Sequence, residues 1–319
     1  MLKTKALDSA TLDLHRKVLG ARFDSALNRW AKPYGNDFPG FTSDIVDLLK
    51  KHRDVLLVGT PSELWRVIQE VDDVDANFKK YLEDRPKRNS KEKYNDSFQK
   101  LITQIASLFD YSMFIQKKDD WNAYALVKKH GLRICPYCQL QHVNYHNANE
   151  KGSLTLRPPL DHYLPKSRYP YLAVSIQNLV PSCHQCNSSV KLDNCPSKTL
   201  PNPFDPATTS QMSFETKFSS IDIRHLKEDD IELDVKGNTP AWDDFANFFR
   251  LPERYQWYKP EIHDMVGRAA DFSEYDDNLK SLLNRPRYIL GFQQPHATTR
   301  ALGLCLLAIA ESNAWFKYS

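Results

Sequence analysis

Two cysteine pairs, "CPYC" at 135–138 and "CHQC" at 183–186, constrain this chain of 319 residues more than any other feature of it. A C-x-x-C turn points two thiolates at one spot, and two such turns supply the four ligands that a closed tetrahedral Zn²⁺ site takes. One pair alone would leave a redox dithiol equally open. Two pairs flanking one segment favour structural zinc held by Cys135, Cys138, Cys183 and Cys186. His184 inside the second pair is not needed once four cysteines fill the tetrahedron. Cys195 is a spare thiol close by, and Cys305 lies in the apolar run "ALGLCLLAIA" and reads as core.

The chain around these pairs is ordinary for a folded protein, with 41% hydrophobic and 12% aromatic residues. Its first residues, "MLKTKALDSATLDLHRKV", have no apolar stretch of the signal-peptide kind, and Asp8 and Asp13 interrupt them. The run at 301–310 is about half the roughly 20 residues of a spanning helix. A cytoplasmic protein with no membrane partner is the expectation. The net charge of +3 is unevenly spread. Residues 127–198 hold nine Lys/Arg against Glu150, Asp161 and Asp193, a net +6, so the rest of the chain carries −3. Positive charge gathered around the cysteines points to a polyanion there.

Three regions follow from the pattern: a helical region over 1–126, a cysteine-bearing core over 127–204, and a mostly helical α/β region over 205–319. In the first, "TPSE" opens a helix, with Thr60 as N-cap, Pro61 at the first helical position and Glu63 closing a capping box. Leu64, Val67, Ile68, Val71, Phe78 and Leu82 fall near one stripe behind it, and Phe98, Leu101, Ile102, Ile105 and Phe109 carry a second helix. "EDRPKRNSKEK" between them reads as a solvated loop. A short helix ends at Gly131. The four prolines of "CPSKTLPNPFDP" mark a boundary. Beyond it, "SFETKFSSIDIRH" and "DIELDVKGN" alternate as two strands of a hairpin, and helix returns from Trp242 onward.

Between and behind the cysteine pairs stand "LDHYLPKS" and "QNLVPSCHQCNSSVK". With "CPYC" first, then Asp161-His162, Pro165-Lys166, Asn178-Leu179-Val180, "CHQCN" and Lys191, the stretch 135–191 resembles the HNH endonucleases and their ββα-metal site. The resemblance implies an α+β, mainly helical chain with a zinc-stabilised ββα-metal core flanked by helical regions. His162 would be the general base, Asp161 and Asn187 the ligands of a catalytic Mg²⁺ (or Mn²⁺), and Asn178 the residue that orients His162 or braces its loop. Lys166, Arg168 and Lys191 are the candidate phosphate contacts. The chemistry is consistent. Imidazole accepts a proton at neutral pH, carboxylate and amide oxygens suit Mg²⁺, and thiolates select zinc.

Since adjacent strand residues face opposite ways, Asp161 and His162 converge only if the strand ends or bulges there. Asn187 and Lys191, i and i+4, share a face if a helix starts behind the knuckle. Plainer readings stand beside functional ones: Asn178 as a turn residue, His142 and His146, i and i+4, as exposed polar residues against a metal pair or substrate contacts, and Tyr163, Tyr169 and Tyr171 as packing against base stacking. The stretch 140–159 is long for a connection inside so compact a motif, and no glycine pair follows "LPKS" as in some relatives.

More loosely, the flanking helical regions resemble HNH subunits of bacterial anti-phage systems, Septu or retron-linked, which work beside an ATPase partner. DNA is the favoured substrate, with RNA such as tRNA as the alternative. A zinc module that binds nucleic acid or protein without cleaving anything is the competing class. It would need the cysteines and the basic segment but not Asp161, His162 and Asn187.

Overall fold

In the computed structural model, residues 4, 6–30, 35–85, 96–116, 120–147, 155–206, 208–219 and 225–315 are described. Most of the loop read from "EDRPKRNSKEK", and residues 148–154 of the long connection, lie outside them. Among the described residues the fold is mainly helical with three two-stranded antiparallel sheets.

The N-terminal region comprises α1 (Ser9–Arg29), α2 (Thr42–Lys51), α3 (Arg53–Val58), α4 (Pro61–Asp72), α5 (Ala76–Asp84), α6 (Asp96–Leu108), α7 (Tyr111–Ile115) and α8 (Ala123–His130). The capping box at Thr60 and Glu63 forms as its sequence dictates, and Leu64, Val67, Ile68 and Val71 are buried behind it. The stripe does not continue in the same helix, however. Asp75 caps a new one by accepting from the Phe78 amide, so Phe78 and Leu82 belong to α5. A side-chain cap of that kind competes successfully with simple continuation of the apolar period. α8 stops at Gly131, whose φ of 61° is the left-handed conformation that ends helices.

The central region holds the pair β1 (His146–Asn147) and β2 (Thr155–Leu156), then β3 (Leu160–His162) paired with β4 (Leu179–Pro181). A wide π-type helix, Cys186–Lys191, follows β4. In β3/β4 Asp161 stands opposite Val180 and His162 opposite Leu179. β3 ends at His162, as convergence of the two side chains requires. Three bonds of the Asn178 side chain close the loop that leaves β3: Oδ1 accepts from the Leu164 amide, and Nδ2 donates to the carbonyls of Leu164 and Leu172.

The C-terminal region opens with the hairpin of β5 (Met212–Phe218) and β6 (Ile231–Gly237); residues 220–224 of the segment read as a strand are outside the description. Helices α9 (Pro240–Phe248), α10 (Leu251–Tyr255), α11 (Lys259–Glu274), α12 (Asp277–Leu282), α13 (Arg285–Leu290) and α14 (Gly303–Ser312) follow. The apolar run forms α14, with Cys305 fully buried. No described helix is long and apolar enough to cross a membrane.

Both outer regions grip the central one through buried polar contacts. From the N-terminal side, His15 bonds the Val174 carbonyl and Arg85 the Ser167 carbonyl. From the C-terminal side, the Tyr255 hydroxyl donates to the Cys138 carbonyl and the Leu302 amide to the Gln139 carbonyl. Apolar packing is continuous across all three regions.

Candidate metal centres and cleft

The four paired cysteines come together in space as their spacing predicts. All are buried and none is in a disulfide, and their sulfurs lie within 4.8 Å of one another. Zn–S bonds of about 2.3 Å set tetrahedral S–S edges near 3.8 Å, and Cys138 Sγ is 3.8 Å from Cys183 Sγ. Backbone amides of Leu140 and Cys186 donate to the sulfurs of Cys138 and Cys183. Bonds from Cys135 hold the Cys138 and Cys183 thiols below the ordinary thiol range, while burial lifts Cys135 itself. Thiols packed this closely share protons that a divalent cation would displace.

The donor set therefore fits zinc. Arg254 adds a guanidinium nitrogen 3.3 Å from Cys186 Sγ, where it offsets the net negative charge of a four-thiolate site. His184 is exposed, and Cys195 lies beside the Tyr169 hydroxyl outside the cluster.

A few residues away opens a cleft of about 500 Å³. Asp161, His162, Lys166 and Asn187 line it, together with Tyr111, Arg157 and Asp193. His162 is nearly buried, and its Nε2 lies 2.9 Å from the carbonyl oxygen of Ala173. A carbonyl can only accept, so Nε2 carries the proton of the neutral ring and Nδ1 is left as the basic nitrogen. Burial is the main cause that lowers the His162 pKa to about 3, with Lys166 and Lys191 acting the same way and the Ala173 bond opposing. The Tyr111 ring packs edge-on against the imidazole at 4.6 Å between centroids, and the Lys166 ammonium lies over the same Tyr111 ring.

Asp161 is buried at the cleft floor. Its Oδ2 accepts a 2.6 Å bond from the Tyr137 hydroxyl, and its Oδ1 is 3.2 Å from Lys191 Nζ. Burial raises its pKa, and Lys191 and Tyr137 pull it back. Asn187 is partly exposed, and its amide nitrogen bonds Ser188, so its oxygen is the atom left for a cation. One carboxylate and one amide are a sparse but chemically suitable pair for Mg²⁺, which keeps most of its waters.

Two of the sequence assignments change. Lys191 is 1% exposed and donates to the His162 carbonyl as well as pairing with Asp161, so it does not reach a phosphate. The helix that carries it is π-type, with the Leu192 amide bonding five residues back to Asn187. That wide coil leaves Asn187 at the surface and turns Lys191 inward. Arg168 pairs with Glu83 and lies over Tyr169, and it does not line the cleft. The hydrogen bonds of the Asn178 side chain all go to backbone, at Leu164 and Leu172, which is the bracing alternative of its sequence reading. Lys166 keeps its place at the cleft.

Tyr163, Tyr169 and Tyr171 are buried packing residues, and His142 and His146 are exposed. Tyr137, Tyr111, Arg157 and Asp193 escaped sequence reasoning. Tyr137 sits inside "CPYC", where a spacer is expected, and Tyr111 precedes β3 by some fifty residues.

Compared with known proteins, the chain matches no family model, no curated protein and no solved structure.

Proposed function

We propose that this chain is a metal-dependent nuclease of the HNH type that hydrolyses phosphodiester bonds. The observation that carries the reading is His162. It is a neutral imidazole whose Nε2 is tied to the Ala173 carbonyl, on a cleft it shares with the oxygen donors Asp161 and Asn187. Further support comes from the order of elements, a short hairpin and then a helix, with cysteine pairs before and after that can be clamped by one zinc ion.

In this reading Nδ1 of His162 takes a proton from the attacking water. A base with so low a pKa is always free of its proton but weak, and the negative charge of a phosphodiester beside it would raise its basicity. A bound Mg²⁺ or Mn²⁺ would supply charge neutralisation at the phosphate and leaving oxygen. Asp161 and Asn187 would hold that ion, while Tyr137 and Lys191 fix the Asp161 carboxylate. Lys166 and Arg157 meet phosphate oxygens at the cleft wall. DNA is the favoured substrate and structured RNA the alternative. The looser resemblance to anti-phage HNH subunits adds an ATPase subunit as partner.

Incubation of the purified chain with plasmid and with total RNA, in Mg²⁺, Mn²⁺ or EDTA, tests the proposal. It expects cleavage in the divalent ions, none in EDTA and little from His162→Ala. The buried Lys191–Asp161 pair favours one competing reading, in which Lys191 already neutralises the carboxylate and the chain is a zinc-dependent binding module. Tight nucleic-acid binding without cleavage in any divalent ion would select that reading.

A further inference from the structure

The carbonyl that fixes His162 does not stand alone. Ala173 and Val174 are consecutive, and each carbonyl receives an imidazole: Ala173 from His162 and Val174 from His15 of α1. His15 is fully buried, and its Nε2 lies 2.8 Å from the Val174 oxygen. Its other nitrogen, Nδ1, is 3.0 Å from Trp121 Nε1. An indole nitrogen only donates, so Nδ1 must be the acceptor and Nε2 the protonated nitrogen. Trp121 thus fixes the His15 tautomer, and His15 fixes the Val174 carbonyl.

A second route runs through α7. Phe114 packs edge-on against His15 at 5.7 Å, and Tyr111 from the same short helix packs against His162 at 4.6 Å.

We propose that the N-terminal helical region is part of the catalytic apparatus, with His15 and Trp121 as positioning residues that set the tautomer and orientation of His162. This rests on the reading of His162 as the general base. A neutral imidazole has two tautomers, and only the one protonated on Nε2 leaves Nδ1 as the basic nitrogen. The Ala173 carbonyl selects that tautomer only while the peptides on either side of Val174 keep their orientation. Those peptides lie between two short 3-10 turns, Pro170–Leu172 and Ile176–Asn178, and the Ser175 amide, bonded to the Leu172 carbonyl, holds them from within the loop. His15 adds a second constraint, on the carbonyl side of the same peptide, from a helix more than 150 residues away in sequence. A stability role alone would be met by an apolar residue, since a buried imidazole needs two matched partners to avoid a desolvation cost. Burial keeps His15 neutral by lowering its pKa to about 4, so Nδ1 keeps the lone pair that accepts from Trp121 across the physiological range.

The test uses the full chain labelled with ¹⁵N-histidine, because imidazole nitrogen shifts report tautomer directly and need no substrate. The His162 resonances are assigned by their loss in His162→Ala. In the wild type they show the form protonated on Nε2. Trp121→Phe keeps the ring and removes only the donor, and His15→Leu removes the whole link. Both are expected to give a mixture of His162 tautomers with zinc content unchanged. On a substrate the wild type cleaves, kcat falls by about 10-fold for Trp121→Phe and about 100-fold for His15→Leu, within the roughly 10²–10⁴-fold that a positioned base contributes. KM stays within about twofold, since neither residue touches the cleft. His15→Gln, which carries both a donor and an acceptor, recovers most of the rate.

A single unchanged His162 tautomer and an unchanged kcat in folded Trp121→Phe and His15→Leu would overturn the proposal. Absence of any cleavage by the wild type would overturn the nuclease reading instead, and the tautomer measurement would still decide whether His15 controls His162.

Discussion

The ammonium of Lys191 lies 3.2 Å from Oδ1 of Asp161 and 2.8 Å from the carbonyl oxygen of His162, in the interior beneath the cleft. It therefore acts as an internal cation on the residue proposed to hold a metal. One carboxylate, one amide and one neighbouring ammonium make a weak site. Millimolar Mg²⁺ is the expected requirement.

Lys191→Met leaves the Asp161 carboxylate buried without its cation, a change that costs about 3–5 kcal/mol. Urea unfolding of the zinc-loaded protein, with no Mg²⁺ or Mn²⁺ added, should show that loss. Saturating Mn²⁺ should return much of it, because the ion replaces the missing charge and binds the native state. An equal loss with and without Mn²⁺ would remove Asp161 from the list of metal ligands.

The cysteine cluster should carry about one zinc per chain, and its removal should undo the central region. Structural zinc contributes roughly 10–16 kcal/mol in small zinc peptides, more than most domains have in reserve. Cys135→Ser or Cys186→Ser should yield insoluble or helix-depleted protein without zinc, measured by elemental analysis and circular dichroism. A soluble variant with a wild-type spectrum would contradict the structural role.

Arg254 tests the surroundings of that site. Its guanidinium also donates to the Phe249 carbonyl, and it is the charged group beside Cys186. Arg254→Met should keep the helical signal while zinc affinity drops about 10-fold, at the low end of the 10–100-fold that outer partners of metal ligands contribute. Competition with a colorimetric chelator measures it. Unchanged zinc affinity would make Arg254 a packing residue only.

His130 gives the clearest pH effect. It is buried beside Phe204, neither ring nitrogen has a hydrogen-bond partner among the described residues, and burial lowers its pKa to about 4. The unfolded chain, with an ordinary histidine, binds a proton from roughly pH 6.5 downward while the fold does not. Stability from this group is present above that pH and is lost as pH falls toward 4. His130→Phe should therefore be more stable than wild type at pH 5.5 by about 1 kcal/mol and differ less at pH 7.5, as read by urea midpoints. A gap that does not change with pH would reject the assignment.

Much of the candidate site was legible because its ligands are local. Cysteine spacing specifies four sulfurs before any fold is known, and the Thr60 capping box and the Gly131 stop are written within a few residues of where they act. Asp161, His162 and Asn187 were readable as a set since the hairpin and helix that carry them are nearly continuous in sequence. What sequence did not show depends on distant partners or on backbone detail. Nothing near Lys191 announces a π-type helix, so an outward phosphate contact was the natural expectation. Tyr137 reaches Asp161 only because its knuckle folds over β3. His15 gains its place through Val174, far along the chain, and no local pattern distinguishes it from any other helical histidine.

Cleavage of plasmid DNA by the wild type and by His162→Ala, side by side in Mg²⁺ and with zinc content matched, tests the central claim most directly. Metal-dependent cleavage by the wild type and at least about a 100-fold loss in the variant are expected, with the Mg²⁺ concentration for half-maximal rate unchanged. Equal cleavage by the two proteins would contradict that claim.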